Sequence, residues 1–163
     1  MGETEYWDEF VVYDDQGGMT GRVSGRIIFN ESWDFTIFDK NLEARRIGLQ
    51  WTAWESTPKE EFDIKADAKI SPFGRYTRRL FKGKYVSARS AGNYLAGYNA
   101  STVKSNWGNY ITREGFLKVA GHLHNSAGGP SPYYGEIPYA TRWIERGITD
   151  GAAMRTWELY RKK

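Results

Sequence analysis

The chain has 163 residues and a mass of 18.7 kDa, the length of one ordinary domain, and its 40% hydrophobic content supports a packed core despite a mean hydropathy of −0.67. Cysteine is absent, which excludes a disulfide framework, thiolate metal ligands and a cysteine nucleophile. The net charge of +3 is unevenly divided, −4 over residues 1–80 and +7 over residues 81–163, as expected of an acidic scaffold joined to a basic anion site, or of solvated cations gathered toward one end.

Phe10–Tyr13 is a β-branched and aromatic run; the turn residues Asp14–Gly18 follow it, and residues 22–29 resume with partial alternation, which predicts a hairpin. Phe35 and Ile37 alternate with polar neighbours within 33–38, Asp39-Lys40-Asn41 supplies a turn, and residues 46–54 again fit a strand. An antiparallel meander of four or five strands is therefore expected. Pro58, Lys59-Glu60-Glu61 and residues 71–74 then mark irregular connection. From Ser87 the period changes. Ser87 is expected to cap a helix over 88–100, and Thr112 a second one carrying Phe116, Val119, Ala120 and Leu123 on one face. Asn125–Pro132 ends that helix. A third is predicted from Glu136 or Pro138 to Arg146, stopped by Gly147, and a last one from Asp150.

The expected fold class is α+β: an antiparallel β-rich N-terminal half, 1–80, packed with a small helical C-terminal half, 81–163, as one compact unit. The acidic start Met1–Glu5 and the lack of any apolar run near the ~18 residues of a membrane span predict no signal peptide and no stable membrane insertion. Export would then use a route without a cleaved leader.

Within 88–100, Gly92 and Gly97 each cost a helix about 1 kcal/mol relative to alanine, so close approach of another backbone is expected there. Arg89 and Asn93 are four apart and share a helix face. Their guanidinium and carboxamide can hold a phosphate, a scissile carbonyl or a carboxylate, or simply cap neighbouring backbone. His122 and His124 are the only histidines and lie about 200° apart around a helix, so either is a candidate acid or base, with a hydrogen-bonded structural role as the alternative. Lacking zincin spacing and cysteine partners, they predict no metal site. Tyr133, Tyr134 and Tyr139 surround Glu136 in a segment stiffened by Pro132 and Pro138; Glu136 is a candidate catalytic carboxylate or a structural partner of Arg142. No phosphate-binding loop, dinucleotide fingerprint or nucleophile-elbow serine is present, and no cofactor is expected.

Three functions fit these residues. Metal-independent RNA cleavage needs a base, an acid and a cation at the phosphate: His122 or His124 with Glu136 supplies the first two, Arg89 or Arg142 the third, with Tyr94, Tyr98, Tyr134 and Tyr139 as substrate-contacting rings. Glycosidic chemistry on an anionic cell wall would use Glu136 or Glu114 as the acid. A binding module without catalysis is the third.

The series Ala88–Tyr98, Phe116–Gly121, Ser131–Tyr139 and Arg142–Ile148 resembles the polymorphic toxin type 44 family. In that family a Gly-Asn-aromatic helix opens the domain, a helix ending in Ala-Gly follows, and a Tyr-Gly or Trp-Gly loop leads into a final helix carrying arginine. The resemblance covers about residues 85–150 and leaves residues 1–80 outside it. It implies a bacterial toxin domain with ribonuclease activity, cytoplasmic in the producing cell, delivered by a specialised secretion apparatus into a competitor and neutralised by a cognate immunity protein. Asn93 is the position carried over. The chain has Ser90 where the family often has an acidic residue, and the family often has a glutamine or similar polar residue near the positions of His122 and His124.

Overall fold

The computed structural model describes residues 11–13, 19–23, 26–57, 60–118 and 138–162. Ser32 and Gly48 set the limits of the first helix. The Ser32 hydroxyl accepts from the amide of Asp34 at 3.0 Å, Asp34 occupies the electropositive first turn, Arg45 and Arg46 occupy the last, and Gly48 ends the helix at φ +87°. The result is α1, Trp33–Ile47, followed by α2, Leu49–Glu55. The buried side chains of α1 are Trp33, Ile37, Asn41 and Ala44, a helical recurrence. Residues 33–38 and, on either side of the Gly48 break, 46–47 and 49–54 are therefore helical, which overturns the strands expected there. The Phe35/Ile37 alternation misleads because Phe35 and Phe38 face solvent, at 76% and 60% exposure, and because one core position is the polar Asn41. Asn41 is tolerated inside because its amide donates to Asn99 Oδ1 and Thr102 Oγ1, both at 2.8 Å.

Strands β1, Val11–Tyr13, and β2, Met19–Val23, form an antiparallel hairpin. The next strand, β3, Arg26–Ser32, leaves it for a separate three-stranded sheet with β4, Thr77–Phe81, and β5, Lys84–Ser87, in the order β3-β4-β5. β3 runs parallel to β4, pairing Arg26 with Thr77, and β4 runs antiparallel to β5. A parallel neighbour requires a crossover, which α1, α2 and residues 56–76 supply. The fold is α+β, but the sheet is small and mixed and the molecule mostly helical, so the β-rich antiparallel first half does not exist.

The β4–β5 turn is Lys82-Gly83, both with left-handed backbones at φ 51° and 82°, as a tight two-residue hairpin demands. From β5 the chain enters α3, Ala88–Thr102, at once, with Ser87 as its cap as expected: its hydroxyl accepts from the Ser90 amide at 3.2 Å. Thr112 likewise caps a helical segment α4, residues 113–118, its Oγ1 accepting from Gly115 N at 3.1 Å. The final helix, α5, runs unbroken over Pro138–Arg161. The expected stop at Gly147 and new start at Asp150 are thus corrected.

Gly147 is interior to α5 because it meets α3. A Cβ there would lie 2.1 Å from the Tyr94 carbonyl oxygen, and one on Gly97 would lie 2.0 Å from that of Ile144. The two backbones touch, which is the compensation expected for Gly97; at Gly92 the nearest atom is Ile64 Cγ1, at an ordinary 3.6 Å. Gly97 against Ile144, Tyr98 against Gly147 and Ser101 against Gly151 also show that α3 and α5 run in the same direction. The core gathers Trp33 and Ile37 from α1, Phe81 and Val86 from the hairpin, Leu95 from α3 and Trp143 from α5. The Trp33 indole N–H donates to the Val86 carbonyl at 2.7 Å, so this fully buried tryptophan leaves no orphan donor.

Candidate functional site

Helix α3 is central, and eleven of the sixteen residues from Ala88 to Val103 are buried; the partly open ones are Arg89, Gly92, Asn93, Ala96 and Tyr98. The first four recur at three- and four-residue spacing and form one stripe. A guanidinium and a carboxamide therefore stand one turn apart above a floor of glycine and alanine. The Asn93 side chain has no hydrogen-bond partner among the described residues, while Arg89 is engaged within the protein. Their donors suit the oxygens of a phosphate or a carbonyl. Because α3 and α5 are parallel, the exposed Arg142, on an early turn of α5 and itself engaged within the protein, lies at the same end of the helix pair as Arg89 and Asn93.

Tyr94 and Tyr98 lie on a different side of α3, some 100–180° around the helix from the stripe. Tyr94 is only 3% exposed; its hydroxyl donates to Asp150 Oδ2 at 2.8 Å, its ring meets Phe81 edge-on at 4.8 Å and stacks on Tyr98 at 5.8 Å. Asp150 also pairs with Lys82, whose ammonium sits 5.0 Å from the Tyr94 ring centroid. Burial, reinforced by the Asp150 carboxylate, holds the Tyr94 phenol far above its ordinary range, and burial raises Tyr98 as well. Both are neutral hydrogen-bonding groups at physiological pH. The structure does not bring them onto the Arg89–Asn93 stripe.

His122, His124, Tyr134 and Glu136 lie outside the described residues, as does the side chain of Tyr139. Glu114 is exposed on α4 and pairs with Lys118 at 2.8 Å, which lowers its carboxyl from the ordinary value. A general acid at neutral pH requires the opposite shift. Among the described residues, no group of three or more His, Asp or Glu side chains is placed to hold a metal ion, and no helix is long and apolar enough to cross a membrane.

Two features escape the sequence reading. Asp150 is the shared partner of Tyr94 and Lys82 rather than a cap, and no local signal joins it to partners 56 and 68 positions away. The second is a charge pattern: residues 68–113 contain nine lysines and arginines and no aspartate or glutamate. The whole of α3 lies inside this run. Compared with family models, curated proteins and solved structures, the chain matches none.

Proposed function

We propose that this chain is an RNA-cleaving toxin domain, with the open stripe of α3 as the element that holds the scissile phosphate. The observation that carries the reading is the pairing of Arg89 and Asn93, one turn apart, on the partly open face of an otherwise buried helix. In transesterification the 2′-oxygen attacks the adjacent phosphorus as its proton passes to a base, and the bond to the 5′-oxygen breaks as that oxygen takes a proton from an acid. Negative charge grows on the non-bridging oxygens between those events, where Arg89 and Asn93 donate. His122, His124 and Glu136 are the candidates for the proton transfers, and Arg142 for a further phosphate contact. The acid-free run of residues 68–113 supports an anionic substrate. Delivery into a competitor by a secretion apparatus, and a cognate immunity protein, belong to the same proposal and rest on the type 44 resemblance.

The test is incubation of the purified protein with total RNA, with and without chelator; RNA left intact at high protein concentration refutes the reading. Toxicity in a bacterial host only when a periplasmic leader is attached would transfer support to cell-wall hydrolysis.

A further inference from the structure

The turn after α3 holds an aromatic ring away from the protein. Ser105 N donates to Asn109 O at 2.8 Å, Gly108 N to Ser105 O at 2.9 Å, and Asn109 N to Ser105 Oγ at 3.2 Å, with Gly108 at φ +78°. The turn is tied to α2 as well: Leu49 N donates to Lys104 O at 3.1 Å and Asn106 N to Gln50 Oε1 at 3.3 Å. At the tip of this pinned turn Trp107 is 87% exposed, more than any other large apolar side chain among the described residues. An indole held rigidly in water contributes no burial to the fold.

At the base of the same turn, two cations converge on one ring. Lys104 Nζ lies 5.6 Å from the Tyr110 centroid, and the Arg155 guanidinium carbon, from α5, lies 4.0 Å from it. Both being over one ring, the charges are no more than about 10 Å apart, within a Debye length at 0.1 M salt, so their repulsion is not screened away. Neither has an ion-pair partner among the described residues, and Arg155 Nε is buried without a hydrogen-bond acceptor. The carboxylate nearest to Arg155 along α5, Glu158, is held by both oxygens on Arg45, at 2.8 and 2.9 Å.

From this geometry we infer that the 104–110 turn and Arg155 form a platform for single-stranded nucleic acid, a base stacking on Trp107 and backbone phosphates neutralising Lys104 and Arg155. An indole face takes a base only when that base is unstacked from its own helix, which selects a single strand. A neutral glycan would stack on the indole and leave the cation pair uncompensated. The RNA identity of the strand rests on the proposed function; the platform itself does not. From Arg89 to the end of α3 at Thr102 the helix extends about 20 Å, which is the axial distance between the stripe and the start of the turn.

The experiment is fluorescence anisotropy of the full chain with a labelled 12-nucleotide 2′-O-methyl oligouridylate, which lacks the 2′-hydroxyl nucleophile and stays intact. Binding is expected, with log affinity falling linearly with log salt. Trp107→Ala should weaken it about 5- to 150-fold and Lys104→Ala should reduce the salt slope by about 0.7; both residues are exposed, and melting curves verify that the variants fold. No binding by the wild type, unchanged binding by both variants, or tighter binding of a duplex or a neutral oligosaccharide overturns the platform. Binding of the uncleavable strand with total RNA left intact upholds the platform and refutes the nuclease; degraded RNA with both variants binding like wild type does the reverse.

Discussion

Gly97→Ala tests the contact on which the helix pair rests. In an exposed helix this substitution would stabilise by up to about 1 kcal/mol, because alanine has the higher helix propensity. At position 97 the new methyl would sit 2.0 Å from the Ile144 carbonyl oxygen and 2.9 Å from its carbon, and both are backbone atoms of a helix that cannot swing aside like a side chain. Ordinary contact begins near 3.4 Å, so α3 and α5 must separate by about 1.4 Å at this point, and the shift is transmitted to Gly147 against Tyr94 and to Trp143 in the core. Overpacking of this kind costs about 1–3 kcal/mol; here the obstacle is rigid backbone, which puts the cost near the top of that range, about 3 kcal/mol, and leaves a net loss of about 2 kcal/mol after the propensity gain. Gly92→Ala is the control with opposite sign: its methyl meets only Ile64 Cγ1 at 3.6 Å among the described residues, and the variant should be about 0.5–1 kcal/mol more stable. Urea denaturation of both variants beside the wild type measures the difference. A Gly97→Ala protein as stable as wild type would show that the backbones do not touch, and the parallel placement of α5 would fall with them.

If Asn93 stabilises charge on the phosphate, Asn93→Ala should lower turnover by roughly 10²–10³ with little change in melting temperature, and Arg89→Lys should lose activity because a point charge does not replace a planar fork; near-full activity in a folded Asn93→Ala protein removes the stripe from the site. Tyr94 bears on alkaline stability. Its folded-state phenol is raised, so the stability it contributes is complete below the ordinary phenol value near 10 and is lost as pH rises beyond it, at no more than about 1.4 kcal/mol per pH unit and less after solvent screening. Tyr94→Phe should cost about 1 kcal/mol at pH 7 and flatten the decline above pH 10. Urea midpoints from pH 8 to 11 that stay parallel in the two proteins would contradict this.

What the sequence revealed depended on how local its signal was. Ser87 and Thr112 announce their helices because a cap is a contact within three residues. Arg89 and Asn93 were found because helical spacing alone puts them on one face. The period of α1 was not legible, since its core positions include Asn41, whose place inside depends on Asn99 and Thr102 far along the chain, while its most conspicuous apolar residues, Phe35 and Phe38, face water. Gly147 likewise reads as a helix stop until α3 is known to need its missing side chain. Trp107 and Arg155 are 48 positions apart, and only the folding of α5 along α3 brings that arginine to the turn that carries the tryptophan.

The parallel pairing of β3 with β4 also orders the events of folding. Phe81 and Lys84 meet across a two-residue turn, whereas Arg26 meets Thr77 only after 51 residues have been brought into place. Closing the longer loop costs about 2.5 kcal/mol more chain entropy, so the β4–β5 hairpin and the adjoining α3 form a nucleus to which β3 is added late, once α1 has condensed. Truncations at Ile27 should accordingly speed unfolding, those at Val86 should slow refolding, and a high φ-value at Ile27 would reverse that order.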